Sequence, residues 1–295
     1  MGTPNHHLRA IQKLFRMSKW FLPENSEWPK KRLPGFSYSE FDRAGHLRMD
    51  CLSKFLEIER MVMVRLHQKM IPFYPSKNAE FLLRGNKMVI NPRIYLRAGL
   101  DYPLDQIVKV DHVGSTSITI SIRIFDVETQ EEMAVAYRRP TLVDMVTKKP
   151  VKLPKEIYRF GKRDELSDSK QLVLPEVNTG ILGETVYSQP IHPRYMDYDF
   201  FQHVNQSAYV GYALECAAGA YWAGKLPHFK EDVCHYPAKE IIAIYGEECF
   251  VGDVLTINMW IDKADPYKLY FDIRKKDKTA CFVTLHYGSE IIPDV

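Results

Sequence analysis

The chain has 295 residues, of which 45% are hydrophobic and 26% are charged, and its formal net charge is +3. These values are typical of a globular protein with roughly two domains. The small net charge and the lack of a basic stripe argue against a nucleic-acid partner, and no apolar run approaches the roughly 20 residues of a membrane span.

Residues 1–35 are predicted to form a basic N-terminal extension, with no acidic residue before Glu24. Its cationic residues recur at helical spacing: Arg9, Lys13, Arg16 and Lys19. This pattern fits a mitochondrial transit peptide, or an N-terminal helix that packs on the next domain or stays loose. The five cysteines have no CxxC spacing, which indicates reduced thiols inside a cell. We therefore expect a cytoplasmic protein, with a mitochondrial location as the alternative.

Residues 36–146 are predicted to form the first domain. A strand over 36–42 is followed by a helix over 49–69, whose apolar residues fall on one face. Strands follow at 88–97, 118–124 and 131–146, and the second of these alternates isoleucine with polar residues. Residues 147–183 have little periodicity and are rich in Lys, Pro, Asp, Ser and Gly, so they are predicted to form a linker.

Residues 184–295 are predicted to form a second domain that repeats this order. A strand over 184–198 precedes a helix over 205–223 that is slim because it contains several alanines and glycines. Four strands follow, near 239–249, 253–262, 267–276 and 279–291.

A short motif supports the duplication. Asp42 lies four residues before His46, and Asp199 lies four residues before His203, with an offset of 157 residues between the copies. A period near half the chain length indicates two copies of one domain. One long helix with an antiparallel meander packs well when the sheet curls around the helix. The sequence therefore predicts an α+β double hotdog, with two long helices and two continuous sheets, which leaves fewer edges exposed. We expect a monomer that is an internal pseudo-dimer, or a homodimer.

Two segments of the second half carry a family resemblance. Residues 193–210, with Leu214-Glu215-Cys216 downstream, and residues 245–255 resemble the acyl-ACP thioesterases of plants and bacteria. The wider 4-hydroxybenzoyl-CoA thioesterase group has a similar motif. The resemblance covers roughly residues 184–290, and the first half is similar only in layout. It implies hydrolysis of a fatty acyl-ACP or acyl-CoA to a free fatty acid and a carrier thiol, with no cofactor. We expect no metal, because the other Asp/His pairs have no metal-ligand spacing.

The resemblance also implies roles for individual residues. Asp199 or Glu248 would be the base or nucleophile, and His203 would orient water or donate a hydrogen bond. The residues expected to bind substrate are Asn205, Phe201, Tyr209, Asp42 and His46. Phe201 departs from the family pattern, which has a catalytic Asn at this position.

Physical chemistry supports the same site. Asp199 precedes a predicted helix N-terminus, where backbone N–H groups around residues 203–205 lack intrahelical partners. Together with the helix dipole, these groups could bind a polarised carbonyl oxygen. Aromatic residues on and after the slim helix face, Tyr209, Tyr221 and Trp222, could form the wall of an acyl groove.

Other interpretations remain open at this stage. Asp199 could be only a helix N-cap, His203 a structural histidine and Glu248 a solvated charge. Cys249 could be a nucleophile paired with His203, or a small buried residue of a strand.

The first copy of the motif has Gly45 and Arg48 where the second has Gln202 and Asn205. It is therefore predicted to be a scaffold, or to line the site of the acyl or pantetheine arm, and not to be a second active site. Two further functions also stay open. Phe201, in place of the family's asparagine, favours a non-catalytic protein that binds acyl thioesters or lipids. A hydratase on the same fold is the other alternative, but its usual Asp-x-Asn-x-x-His motif is absent from this sequence.

Overall fold

A computed structural model gives the fold of the chain. It describes residues 30–58, 73–75, 78–160, 171–177, 179–199 and 202–293. Most of the predicted basic extension, the second part of the predicted helix over 49–69, and Phe201 lie outside the described residues.

The described residues contain one ten-stranded sheet in which every neighbouring pair is antiparallel. The strands in chain order are β1 Lys30–Leu33, β2 Ala79–Ile90, β3 Leu104–Val113, β4 Ile118–Asp126, β5 Glu132–Asp144, β6 Tyr187–Ile191, β7 Ala238–Tyr245, β8 Leu255–Ile261, β9 Lys268–Lys275 and β10 Lys278–Tyr287. Strand β1 lies in the segment predicted as the N-terminal extension and pairs with β3.

The strand order shows the duplication directly. It reads β1-β3-β4-β5-β2 in the first half and continues β7-β10-β9-β8-β6 in the second. The second half therefore repeats the first in reverse order about the central β2–β7 pair. That pair runs from Gly85 opposite Ile244 to Val89 opposite Glu240. The prediction that the two sheets are continuous is confirmed.

Three α-helices lie in the described residues: α1 Met49–Phe55, α2 Arg93–Arg97 and α3 Gln206–Trp222. Helix α3 confirms the helix predicted over 205–223. Helix α1 confirms the beginning of the helix predicted over 49–69, and a 3₁₀ turn over 56–58 extends it. Helices α1 and α3 pack against each other. Within the described residues, no helix is both long and apolar enough to span a bilayer.

Strand β4 shows how the alternating pattern builds the core. Ile118, Ile120, Ile122 and Ile124 are all at most 1% exposed, and burying each such side chain contributes about 1.5–3 kcal/mol. Thr119 and Ser121, the polar residues between these isoleucines, are buried as well. The reason is that the predicted linker returns over this face, where the N–H of Leu172 donates to Thr119 Oγ1 at 3.0 Å.

Several strand predictions are wrong, and β3, Leu104–Val113, was not among the predicted strands. Residues 36–42 form a 3₁₀ turn, Tyr38–Glu40, because the Glu40 carboxylate accepts from the backbone and side chain of Ser37 in a capping box. The strand predicted over 184–198 ends at Ile191 and is followed by the matching 3₁₀ turn over 195–197. The strand predicted over 88–97 ends at Ile90, because Pro92 has the helical φ that starts α2.

The glycines of α3 allow a paired stability test. A Cβ added at Gly211 would make ordinary contact with Asp50 Cβ at 3.6 Å, whereas one at Gly219 would lie 2.8 Å from Gln189 Oε1 and 3.0 Å from the Tyr187 hydroxyl. Alanine has the higher helix propensity, so we expect Gly211→Ala to raise the free energy of unfolding by about 0.5–1 kcal/mol. The steric conflict should remove that gain in Gly219→Ala. Urea unfolding measures both variants, and equal stabilisation would contradict the packing described.

Candidate active site

The repeated motif forms the same turn in both halves. In the first copy the Asp42 N–H donates to the His46 carbonyl at 2.8 Å, and in the second the Asp199 N–H donates to the His203 carbonyl at 3.2 Å. An isolated bridge closes each turn, one joining residues 41 and 47 and the other joining residues 198 and 204. The sequence repeat is therefore a structural repeat of one loop that leads into a helix.

In each turn, the third residue after the aspartate has the left-handed backbone conformation. In the first copy this residue is Gly45, with φ of 81°, and in the second it is Gln202, with φ of 64°. Glycine adopts this conformation freely, but a residue with a Cβ is strained there by roughly 1 kcal/mol. Strain of this kind is often found at functional sites, and here only the second copy has it.

Asp199 and His203 face each other across the second turn. The distance from His203 Nδ1 to Asp199 Oδ1 is 3.6 Å, and the two side chains are 25% and 4% exposed. This distance is longer than a direct hydrogen bond and suits an ion pair when the imidazole is protonated. The site thus has a buried carboxylate behind a solvent-accessible imidazole, which are the two groups needed for general acid–base chemistry.

Asn205 begins α3 and fixes this turn to the helix. Its side-chain oxygen accepts from the Ser207 N–H at 2.9 Å as an N-cap. The Val204 N–H donates to the Cys249 carbonyl at 2.9 Å, and the Asn205 N–H donates to the Asp197 carbonyl at 2.7 Å. The prediction that N–H groups around residues 203–205 are free for an oxyanion is therefore wrong for Val204 and Asn205.

The first half contributes a carboxylate to the start of α3. Glu57 follows α1, and its Oε1 accepts from the Ser207 N–H at 3.0 Å while its Oε2 accepts from Asn205 Nδ2 at 3.2 Å. A carboxylate at a helix N-terminus is favourable because it offsets the helix dipole. A contact across about 150 residues has no local signal in the sequence.

A buried arginine on the sheet contacts the same helix terminus. Arg138, on β5, is 0% exposed. Its Nη1 donates to Gln206 Oε1 at 2.9 Å and its Nη2 donates to the Ser53 carbonyl at 3.5 Å. Arginine is rarely buried without partners, so this side chain links α1, the sheet and α3 at one point. Sequence reasoning missed this residue too.

Glu248 lies in the segment beside the second turn, because the neighbouring Cys249 carbonyl accepts the Val204 N–H. Its side chain is exposed. The hydrogen bond that Glu248 makes in the described residues is through its backbone carbonyl, which accepts from Lys275 Nζ at 3.3 Å. The structure thus brings the backbone of Glu248 to the site, while its carboxylate is in solvent.

Cys249 is fully buried. Burial raises the pKa of the Cys249 thiol, although a hydrogen bond with Tyr209 opposes this rise. A nucleophilic cysteine needs the opposite shift, so the environment does not favour the nucleophile interpretation. Among the described residues no group of His, Cys, Asp and Glu is placed to hold a metal ion.

We therefore expect Cys249→Ser to keep turnover of an acyl thioester within a few-fold of the wild type, because a serine hydroxyl could not replace a catalytic thiolate. Steady-state kinetics and a thermal melt of the same sample would distinguish a loss of catalysis from a loss of stability. Loss of turnover in a variant that melts like the wild type would identify the thiol as the nucleophile.

The aromatic residues predicted to line an acyl groove differ in exposure. Tyr209 is 4% exposed and packs against Tyr212 and Tyr245, with ring centroids 6.0 and 6.2 Å away, so it belongs to the core. Trp222 is 70% exposed under the Arg43 guanidinium, and its ring contacts Tyr221. Phe201 lies outside the described residues.

A cavity of about 540 Å³ lies between the first copy of the motif and the start of α3, and its lining includes Tyr198, which belongs to the bridge that closes the second turn. Of the predicted site residues, Asp42 and Asn205 line it, whereas Asp199, His203, Glu248, Tyr209 and His46 are not in its lining. Asp42 Oδ1 accepts from the Ala44 and His46 N–H groups, at 2.9 and 3.0 Å. His46 itself is buried, with Nδ1 3.1 Å from the Cys234 carbonyl.

Comparison with known proteins places the second half in context. Residues 183–288 match the family model of the acyl-ACP thioesterase C-terminal domain. The resemblance to acyl-ACP thioesterases is confirmed. The match contains the second turn, helix α3 and the segment with Glu248. A sequence search among curated proteins gives no match.

Solved structures of thioesterases have the same fold over nearly the whole chain. A Lactobacillus plantarum protein described as an oleoyl thioesterase is 16% identical, with a TM-score of 0.67 over 93% of this chain and 100% of that one. The 12:0-ACP thioesterase from Umbellularia californica is 13% identical, with a TM-score of 0.65 over 88% and 97%. An acyl-ACP thioesterase from Bacteroides thetaiotaomicron is also 13% identical, with a TM-score of 0.64 over 88% and 98%. The predicted double hotdog fold is confirmed.

Proposed function

We propose that this protein hydrolyses fatty acyl thioesters to a free fatty acid and a carrier thiol. The observation that carries the proposal is the Asp199–His203 pair, 3.6 Å apart, at the start of α3. The pair lies within the residues that match the acyl-ACP thioesterase C-terminal domain.

The chemistry assigned to the pair is general base catalysis. The Asp199 carboxylate takes a proton from a water molecule as the water oxygen attacks the thioester carbonyl carbon. The resulting tetrahedral intermediate expels the sulfur, and the carrier leaves as a thiol after it gains a proton. His203, more exposed than Asp199, orients the water or donates a hydrogen bond to the substrate oxygen. Attack by Asp199 itself, through an anhydride that water then hydrolyses, is the alternative role for the same carboxylate.

The surrounding residues hold this pair in place. Glu57 and Asn205 fix the first turn of α3, and Arg138 holds Gln206 from the sheet side. We assign Glu57 and Arg138 as positioning residues, because each forms hydrogen bonds with residues at the start of α3. Glu248 has its carboxylate in solvent, where it is free to turn toward the site when substrate binds.

The acyl carrier is proposed to be acyl-carrier protein or coenzyme A. The family description names acyl-ACP, and the Umbellularia californica enzyme is a 12:0-ACP thioesterase. Both carriers present the same pantetheine thioester, so the chemistry at the carbonyl is identical. Chain length is to be decided by experiment.

The test is the release of free thiol from a panel of medium- and long-chain acyl-ACP and acyl-CoA substrates by the purified full chain. Turnover of at least one member supports the proposal, provided that Asp199→Asn removes it. Inactivity with both carriers would refute it. Tight acyl-CoA binding without turnover would instead support the binding-protein alternative, and turnover of a 2-enoyl-CoA would support a hydratase.

A further inference from the structure

The β7–β8 loop, residues 246–254, is hydrogen bonded to the second copy of the motif. The Val204 N–H donates to the Cys249 carbonyl of this loop at 2.9 Å. Val204 also forms the isolated bridge with Tyr198 that closes the turn. The position of the Cys249 carbonyl is therefore coupled directly to the closing bridge of the turn.

The closing bridge determines where the proposed catalytic pair lies. Asp199 directly follows Tyr198 and His203 directly precedes Val204, so both side chains are attached to the backbone next to the bridge. The distance from His203 Nδ1 to Asp199 Oδ1 is 3.6 Å. A displacement of about 1 Å in a catalytic geometry can slow a reaction by roughly 10²-fold. A shift of the Cys249 carbonyl is therefore expected to reach the pair through a single hydrogen bond.

Lys275, the last residue of β9, contacts the β7–β8 loop at three points. Its Nζ lies 2.7 Å from Asp253 Oδ2 and donates to the Glu248 carbonyl at 3.3 Å. The same Nζ lies 5.2 Å from the centre of the Phe250 ring. One ammonium group thus contacts the residue before Cys249 and two residues after it, so it holds the loop on both sides of that carbonyl.

The part of the loop that Lys275 contacts is itself a tight turn. Asp253 Oδ2 accepts from the Phe250 N–H at 2.7 Å, and the Asp253 N–H donates to the Phe250 carbonyl at 3.1 Å. Gly252 lies between them with φ of 88°, a conformation that glycine adopts freely. Burial opposes ionisation of Asp253, but Lys275 and the Phe250 N–H together hold the pKa of its carboxyl below the ordinary value. The ion pair is therefore present at neutral pH.

The first half has an ion pair at the corresponding position, with its charges reversed. Lys275 is paired with Leu255 at the start of β8, and Asp126 is paired with Leu104 at the start of β3. In the connection before β3, Arg97 Nη2 lies 3.1 Å from Asp126 Oδ2. An ammonium group can donate to a loop carbonyl, whereas a carboxylate cannot. Lys275 can therefore hold the backbone of its loop in a way that Asp126 cannot.

We propose that Lys275 is a positioning residue for thioester hydrolysis, which fixes the β7–β8 loop and, through the Cys249 carbonyl, the turn that contains Asp199 and His203. The assignment rests on the proposed function, because that function places the chemistry at this pair. Lys275 and Asp253 are 28% and 21% exposed, and a partly exposed ion pair contributes little to stability. A positioning role and a purely structural role therefore predict different results.

The test is Lys275→Met in the full chain, assayed with the acyl thioester that the wild type hydrolyses fastest. We expect kcat to fall by roughly tenfold with KM within about threefold of the wild type, because the turn is displaced while the substrate contacts remain. The melting temperature should stay within about 4 °C of the wild type. Lys275→Arg restores a cationic donor and should recover most of kcat.

Lys278→Met is the matched control from the same hairpin. Lys278 Nζ lies 3.0 Å from Glu247 Oε1, a contact with a side chain of the loop and not with its backbone. Its kcat should equal that of the wild type. An equal loss in both variants would indicate a general effect of charge, and a raised KM with unchanged kcat in Lys275→Met would assign the lysine to carrier binding. Either result, or full kcat in Lys275→Met, would overturn the proposal.

A second measurement tests the coupling without substrate. The ring signals of His203 in an NMR spectrum, assigned by their loss in His203→Gln, should shift in Lys275→Met and stay in place in Lys278→Met. If the wild type hydrolyses neither acyl-ACP nor acyl-CoA, the proposed function fails, and the His203 signals still decide whether Lys275 holds the turn. If the wild type is active and Lys275→Met changes neither the signals nor kcat, the proposed function stands and the positioning role is refuted.

Discussion

Asp199→Asn should lower turnover of an acyl thioester by about 10²–10⁴-fold, the usual contribution of a general acid–base group. Asparagine has nearly the same shape, and the backbone hydrogen bonds of Asp199 with His203 and Gln202 do not involve the carboxylate. The loss should therefore come with little change in thermal stability. Single-turnover kinetics at saturating substrate, with a melt of each sample, measures both quantities.

Asp42→Asn is the matched control, since it makes the same change in the same turn of the other half. Asp42 Oδ1 accepts two backbone N–H groups, and an asparagine oxygen can accept them as well. Turnover should remain within a few-fold of the wild type. The opposite ranking, with Asp42 essential and Asp199 dispensable, would place the chemistry in the first half.

Arg138→Ala should lower the free energy of unfolding by about 3–5 kcal/mol, the range for removing a buried, hydrogen-bonded charge or a large core side chain. The variant loses the contacts with Gln206 and Ser53 and leaves a void between the sheet and the helices. Urea unfolding followed by tryptophan fluorescence gives this value.

Two further variants serve as controls for Arg138→Ala. Arg139→Ala changes the next residue, a partly buried arginine that donates to Ser117 Oγ at 3.3 Å, and should cost less than about 1 kcal/mol. Arg138→Met fills most of the volume without a charge and should recover much of the stability. If Arg138 also positions α3, Arg138→Met will still turn over more slowly than the wild type. Full activity in a stable Arg138→Met would show that the arginine is only structural.

Local patterns in the sequence were enough to predict most of the fold. The isoleucine alternation of β4 and the Asp-His spacing within each motif copy are local signals, and they predicted β4 and the duplication. Strand β3, Leu104–Val113, was not predicted. The 3₁₀ turn at residues 38–40 was missed because it depends on one side chain, Glu40, bonding back to Ser37.

Less of the candidate site could be predicted from the sequence. Asp199 and His203 were found together because they are four residues apart on one turn. The contact of Glu57 with Asn205 and Ser207 joins residues about 150 positions apart, and only the folded chain brings them together. Aromatic residues suit both a ligand wall and a core, so the sequence does not predict that Tyr209 is buried against Cys249 and Tyr245.

The single-chain arrangement of the two hotdogs has an evolutionary consequence. In a homodimer of one hotdog, every substitution would occur in both protomers, so the two helix termini would stay identical. Here Glu57 lies at the start of α3, while the residue 157 positions later is Leu214, which lines the cavity of about 540 Å³. At the start of α1, the charged contact is an ion pair between Arg48 and Asp50 of the same half. Within one chain the two copies can therefore diverge independently, while a shared sheet keeps them in a fixed one-to-one ratio.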